Sequence, residues 1–136
     1  MSYSNKQLIR INFPSFDFGD TGSETMSFKI PKDEHGNDQK ARLVDIGLMV
    51  TETFVTTTLE GAIEVGTAGD NDAYGKLNIT DSTADEACFN VDNDTDAILD
   101  EDIPSGTLVE MNFTCGTTGA GTLAGKGIPY VDIYVW

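Results

Sequence analysis

Residues 59–79 read LEGAIEVGTAGDNDAYGKLNI, and this stretch decides the fold class. Ala62, Ile63 and Val65 make a short apolar run; Gly66-Thr67-Ala68-Gly69-Asp70-Asn71-Asp72 is a glycine-and-acid turn; Ala73-Tyr74-Gly75 leads into a second short run. Two short strands around such a turn predict a structural corner of an all-β chain. Asp70 and Asp72 also invite a ligand-site reading. The glycines are explained more simply as backbone permission for a tight strand-to-strand turn.

Outward from this corner, nearly every segment repeats with period two, as half-buried strands do. On the N-terminal side, Ile9, Ile11 and Phe13 share one face while Lys6, Arg10 and Asn12 share the other. Pro14 ends that strand, and residues 15–24 read as an arm or loop with exposed Phe16 and Phe18. Met26, Phe28 and Ile30 alternate with polar neighbours until Pro31, and residues 32–39 form a charged turn centred on Gly36. Residues 40–57 are the longest β-like run, with Val44, Ile46, Leu48, Val50 and Phe54 on one face. Eighteen residues at about 3.3 Å each would span roughly 60 Å, too long for one strand of a small domain. A bend or bulge is therefore expected near residues 51–54.

On the C-terminal side, Ala87, Phe89 and Val91 mark a short strand that puts Cys88 on its opposite face. Residues 92–102 (DNDTDAILDED) are the most acidic segment, anchored only by Ile98 and Leu99, and Ile103-Pro104-Ser105-Gly106 reads as a turn. Val109, Met111, Phe113 and Cys115 point inward from the next strand, and residues 116–127 form a glycine-rich connection. The last strand, 128–136, sets Pro129, Val131, Ile133 and Val135 against Ile128, Tyr130, Asp132, Tyr134 and Trp136. No apolar helical period is sustained over three turns. About eight short strands between glycine- and acid-rich turns predict an antiparallel β-sandwich, jelly-roll-like, in one domain. Residues 1–24 form its N-terminal strand and arm, and residues 25–136 the sandwich.

A chain of 136 residues buries about two-thirds of its unfolded surface, so neither metal nor disulfide is needed for it to fold. Eight basic against 23 acidic residues give a net charge of −15, which opposes nucleic-acid backbones and anionic membranes. No run approaches the roughly 18 apolar residues of a membrane-spanning helix, and Met1-Ser2-Tyr3-Ser4-Asn5-Lys6 is too polar for a signal peptide. Synthesis in a cytosol is expected. There Cys88 and Cys115 read as free thiols, their phases pointing to opposite faces, and the N-x-[ST] triplets at Asn78, Asn93 and Asn112 as chance matches.

Candidate chemistry is thin. The sole histidine, His35, sits in a charged turn without assignable partners for a triad or metal site. Carboxylate pairs carry no information when acids are this dense. Residues 120–127 (AGTLAGKG) miss a phosphate-binding loop at both ends, with Ala120 for the first glycine and Gly127 for the hydroxyl. Asp92, Asp94 and Asp96 have the alternating oxygens of a calcium loop, but Ala97 and Ile103 stand where its glycine and glutamate belong. They are the weak metal candidates; no metal or cofactor is expected. The most informative surface is Tyr130, Tyr134 and Trp136, aromatics of the kind enriched at interfaces. If the last strand is central and covered on both sides, that surface disappears.

The pattern Glu64-Val65-Gly66-Thr67-Ala68-Gly69-Asp70-x-Asp72-Ala73-Tyr74, after a Thr-rich segment 51–59, resembles small structural proteins of tailed bacteriophages. Asp102-Ile103-Pro104-x-Gly106-Thr107-Leu108-Val109 and Ala124-Gly125-Lys126-Gly127 fit the same pattern, so the resemblance covers roughly the C-terminal two-thirds. It implies a capsid decoration (cement) protein: a non-enzymatic β-sandwich or jelly-roll subunit, commonly a homotrimer. Such a subunit sits on the outer face of a virion's capsid, bound to the major capsid protein, and clamps neighbouring capsomers. Tyr130, Tyr134, Trp136, Phe16 and Phe18 are then the expected contact residues. The alternative is a host-glycan-binding module of a phage fibre or head spike, its sugar site built from loop acids and Tyr74. A small hydrolase is a third reading, with little to support it.

Overall fold

The computed structural model describes residues 7–18, 23–55, 61–79, 88–91, 98–99, 102–114 and 124–136. Its elements are β1 (Gln7–Asn12), β2 (Phe16–Asp17), β3 (Ser23–Lys29), β4 (Ala41–Val55), β5 (Ala62–Thr67), β6 (Asp70–Asn78), β7 (Cys88–Asn90), β8 (Ile98–Leu99), β9 (Asp102–Ile103), β10 (Leu108–Thr114) and β11 (Ala124–Val135). One sheet runs β1-β11-β4-β7, with β2 added to β11 and β9 to β4; the other runs β3-β10-β5-β6-β8. Every pairing is antiparallel. The protein is an all-β sandwich of two sheets.

Its pairing is nested. β5 pairs with β6, β4 with β7, β3 with β10 and β1 with β11, so the first half of the chain meets the second in reverse order. The chain is a doubled ribbon, and its tip is the hairpin within residues 59–79. The hairpin is tighter than the sequence suggests: Thr67 faces Asp70, leaving only Ala68 and Gly69 between them. Gly66 sits at a break in register between Val65 and Thr67. A Cβ there would run into the backbone of Asp70 and Asn71, so the position needs glycine for space.

The core forms between the sheets because each strand turns alternate apolar residues inward. Leu48, Val131 and Ile133 from one sheet meet Ile63, Leu77, Met111 and Phe113 from the other, all essentially inaccessible. The expected inward phases hold for β10, β11 and β7, where Phe89 is buried and Cys88 exposed. In β4 one phase fails. Leu43 and Ile46 both point inward, because the register against β11 slips between Asp132 and Ile133 and leaves Val44 half-buried. The irregularity expected near 51–54 is present, since Val50 faces Gly127 but Glu52 faces Lys126. β4 nonetheless keeps all its partners in one sheet.

Three further expectations are corrected. Residues 15–18 are no free arm: β2 pairs with β11, and the Phe18 amide donates to the Gly125 carbonyl at 2.8 Å. Phe18 is buried and Phe16 half-buried, stacked edge-on at 4.7 Å, with Phe16 reaching Phe113 at 5.6 Å and Phe13 meeting the same ring at 5.7 Å. Aromatic rings close the end of the sandwich because burying each stabilises by about 1.5–3 kcal/mol. Likewise, Ala124-Gly125-Lys126-Gly127 belongs to β11 instead of a loop, and Ile103 lies fully buried in β9 before the turn begins.

Candidate functional site

The outer face of the first sheet carries the densest side-chain chemistry. β11 is central there, between β1 and β4, so its outward residues meet outward residues from both neighbours. Asp132 faces Arg10 on one side and Asp45 on the other, while Tyr130 faces Asn12 and Gly47. Arg10 Nε donates to Asp132 Oδ1 at 2.8 Å and Nη2 to Oδ2 at 2.9 Å, a bidentate pair. The same guanidinium lies 4.1 Å above the Tyr130 ring centre. Gly47 leaves the trough that ring occupies, since a Cβ there would fall within the ring. The phenol hydroxyl donates to Asp45 Oδ2 at 3.5 Å and lies 3.2 Å from Cys88 Sγ. Four strands far apart in sequence are thereby stitched together.

The electrostatics follow from this cover. Burial pushes the Tyr130 phenol above its ordinary range, helped by the Cys88 contact and the nearby negative Asp45. The hydrogen bond to Asp132 holds the Arg10 proton more firmly than usual. Arg10 is half exposed, its charge paired with Asp132, so it lies as a lid on the network. Around this lid the face is apolar: Leu8 is 55% exposed beside half-buried Tyr134, and Met49, 45% exposed, faces Ile128. Charged centre and apolar flanks make a surface suited to protein contact.

The expected contact residues separate into two groups. Tyr130, Tyr134 and Trp136 share the outer face as phased, but Tyr130 is 3% exposed and lies beneath Arg10, which corrects its reading as exposed. Tyr134 and Trp136 are half-buried, and Trp136 exchanges backbone hydrogen bonds with Lys40 at 3.0 and 3.1 Å. Phe16 and Phe18 belong to the closed end of the core and join no surface with the other three. Tyr74 is buried in the core cluster, which removes it from any sugar site. His35 is solvent-exposed beside Glu34, in a turn closed by Asp33. Hydrogen bonds from Asn37 and His35 hold the Asp33 carboxyl below its usual range. Asp92, Asp94, Asp96 and Cys115 lie outside the described residues.

Arg10, Asp45, Gly47 and Cys88 were missed as members of one site. Their phases were legible, with Arg10 opposite Ile9 and Ile11, and Cys88 opposite Phe89. The register that aligns them across four strands was not. Comparison with protein-family models, curated proteins and solved structures finds no match.

Proposed function

We propose that this chain is a non-enzymatic structural protein of a virion, a capsid decoration protein that binds the outer capsid surface and stabilises neighbouring capsomers. The observation that carries the reading is the nested strand order. Taking the eight strands longer than two residues, the sheets interleave as β1-β11-β4-β7 and β3-β10-β5-β6. We infer from this order a jelly roll, a double-sheet fold shared by viral capsid domains, and it agrees with the phage resemblance of residues 59–79 and 102–109. The apolar flanks of the first sheet's outer face, at Leu8, Met49 and Ile128, suit a static contact with a large protein surface. Such a protein acts by mass action: binding only the assembled shell stabilises that shell. A charge of −15 keeps it off the packaged nucleic acid.

The test is sedimentation of the purified chain with expanded empty capsids of its phage, followed by heating. Co-sedimentation and a raised disruption temperature are expected. Absence of both would reject the proposal.

A further inference from the structure

Both long strands at the margins of the sandwich lie on one side of it. Among the described residues β1 pairs only with β11, and β3 only with β10. Among the described residues the opposite margins end in β7, β8 and β9, strands of two or three residues that offer short edges. Ile9 and Ile11 of β1 and Met26 and Phe28 of β3 pack on the core yet remain half-exposed, so an apolar seam runs between the two margins.

Charge singles out the same seam. Residues 1–42 hold six of the eight basic residues and six of the 23 acids, so residues 43–136 carry the entire −15. Residues 7–16 contain no acid at all, and 23–32 contain one acid and two bases. A second copy of so acidic a chain is repelled nearly everywhere and least here. The two margins differ in their own protection. β3 places Glu24 opposite inward-facing Phe113, a charge at an inward position that discourages a further strand. β1 has no such device, because its one charge, Arg10, is turned onto Asp132.

We infer that β1 is the interface between two copies of this chain, paired antiparallel across a two-fold axis with the seams facing. The pairing extends the first sheet through both copies and buries Ile9 and Ile11 of each. It stands independently of the virion reading, and two-fold pairing yields a dimer in place of the trimer that the phage resemblance implies.

The hydrogen-bond phase gives a clean test. The Phe13 amide donates to the Pro129 carbonyl at 2.8 Å, so alternation turns the amides of Gln7, Ile9 and Ile11 toward β11 and those of Leu8, Arg10 and Asn12 to the open side. Leu8→Pro and Asn12→Pro each remove an outward amide without touching the β1–β11 ladder. Light scattering on the full chain should give twice the 14.6 kDa of one copy, with the dimer fraction rising as salt screens the repulsion. Either variant should return the mass to a single copy while its β circular-dichroism spectrum is kept. If Leu8→Pro fails to fold, Asn12→Pro decides. A monomeric parent, a trimer, a dimer that both variants leave intact, or association that weakens with salt would each overturn the inference. Capsid binding is read separately, by sedimentation of the parent chain, so the dimer can fail while that reading stands and the reverse.

Discussion

The outer faces of the two sheets are held in different ways. On the first, Tyr130 and Asp132 sit under a half-exposed Arg10, tying β1, β11, β4 and β7 together through side chains. On the second, the outward residues of the same phase, among them Glu64, Lys76 and Asn112, stay partly open to solvent, and a short bond there, Thr25 Oγ1 to Asn112 Oδ1 at 2.6 Å, is exposed. The difference follows from the order of nesting. The second sheet contains the tip of the ribbon, where β5 and β6 are joined by a two-residue turn and need little help to find each other. The first contains its open end, where β1 and β11 come from opposite ends of the sequence. The pair with the largest closure entropy, β1 with β11, is among those that carry the extra stitching.

Two glycines put this contrast to the sharpest test. Gly66→Ala should be the most damaging single change, costing about 3 kcal/mol or more, because the new Cβ meets backbone that cannot rotate away. Gly47→Ala should cost about 1–3 kcal/mol, because a side chain, Tyr130, can be evicted at the loss of its contacts. Urea denaturation of both variants checks the order. A smaller loss at Gly66 than at Gly47 would break the distinction between a backbone-defined tip and a side-chain-defined open end.

Removing the lid comes next. Arg10→Ala leaves Asp132, only 8% exposed, without its bidentate partner, whereas Asp132→Ala leaves a guanidinium already half in water. The first should cost about 1–3 kcal/mol and the second about 1 or less, after discounting for the exposure of Arg10. Equal losses from thermal melts of the two variants would mean that the pair acts as an ordinary surface salt bridge.

Much of this was legible as alternation. The inward faces of β10 and β11 and the exposed side of Cys88 follow from period two alone. Where a bulge intervenes, alternation misleads: Val44 shares the phase of Ile46, but one extra residue against Ile133 turns it half out. Phe16 and Phe18 misled for another reason. Only two residues of β2 pair, too few to show a period, and the burial of Phe16 and Phe18 depends on a cap formed with neighbouring Phe13 and with Phe113 from a distant strand. Tyr130 was correctly phased yet wrongly exposed, because whether an outward aromatic is covered depends on what the neighbouring strand offers. Here that is a glycine beneath and an arginine above, each fixed by registers that a single sequence does not print.

The smallest effect isolates what that cover does to one proton. Tyr130→Phe keeps the ring over Gly47 and deletes only the hydroxyl facing Asp45 and Cys88, so at neutral pH it should cost about 0.5–1.5 kcal/mol. In alkali the sign is fixed by the upward shift of the phenol, caused first by burial. A group whose pKa folding raises contributes stability that is whole below its unfolded value, about 10, and is lost as pH climbs through the folded value. Tyr130 should ionise above the ordinary phenol range, seen as a late phase in phenolate absorbance that Tyr130→Phe removes. The variant should also shed part of the parent's loss of stability above pH 10, so the two denaturation curves converge as alkali rises. Parallel curves would mean that water already reaches the hydroxyl. The first sheet's outer face would then be as open as the second's.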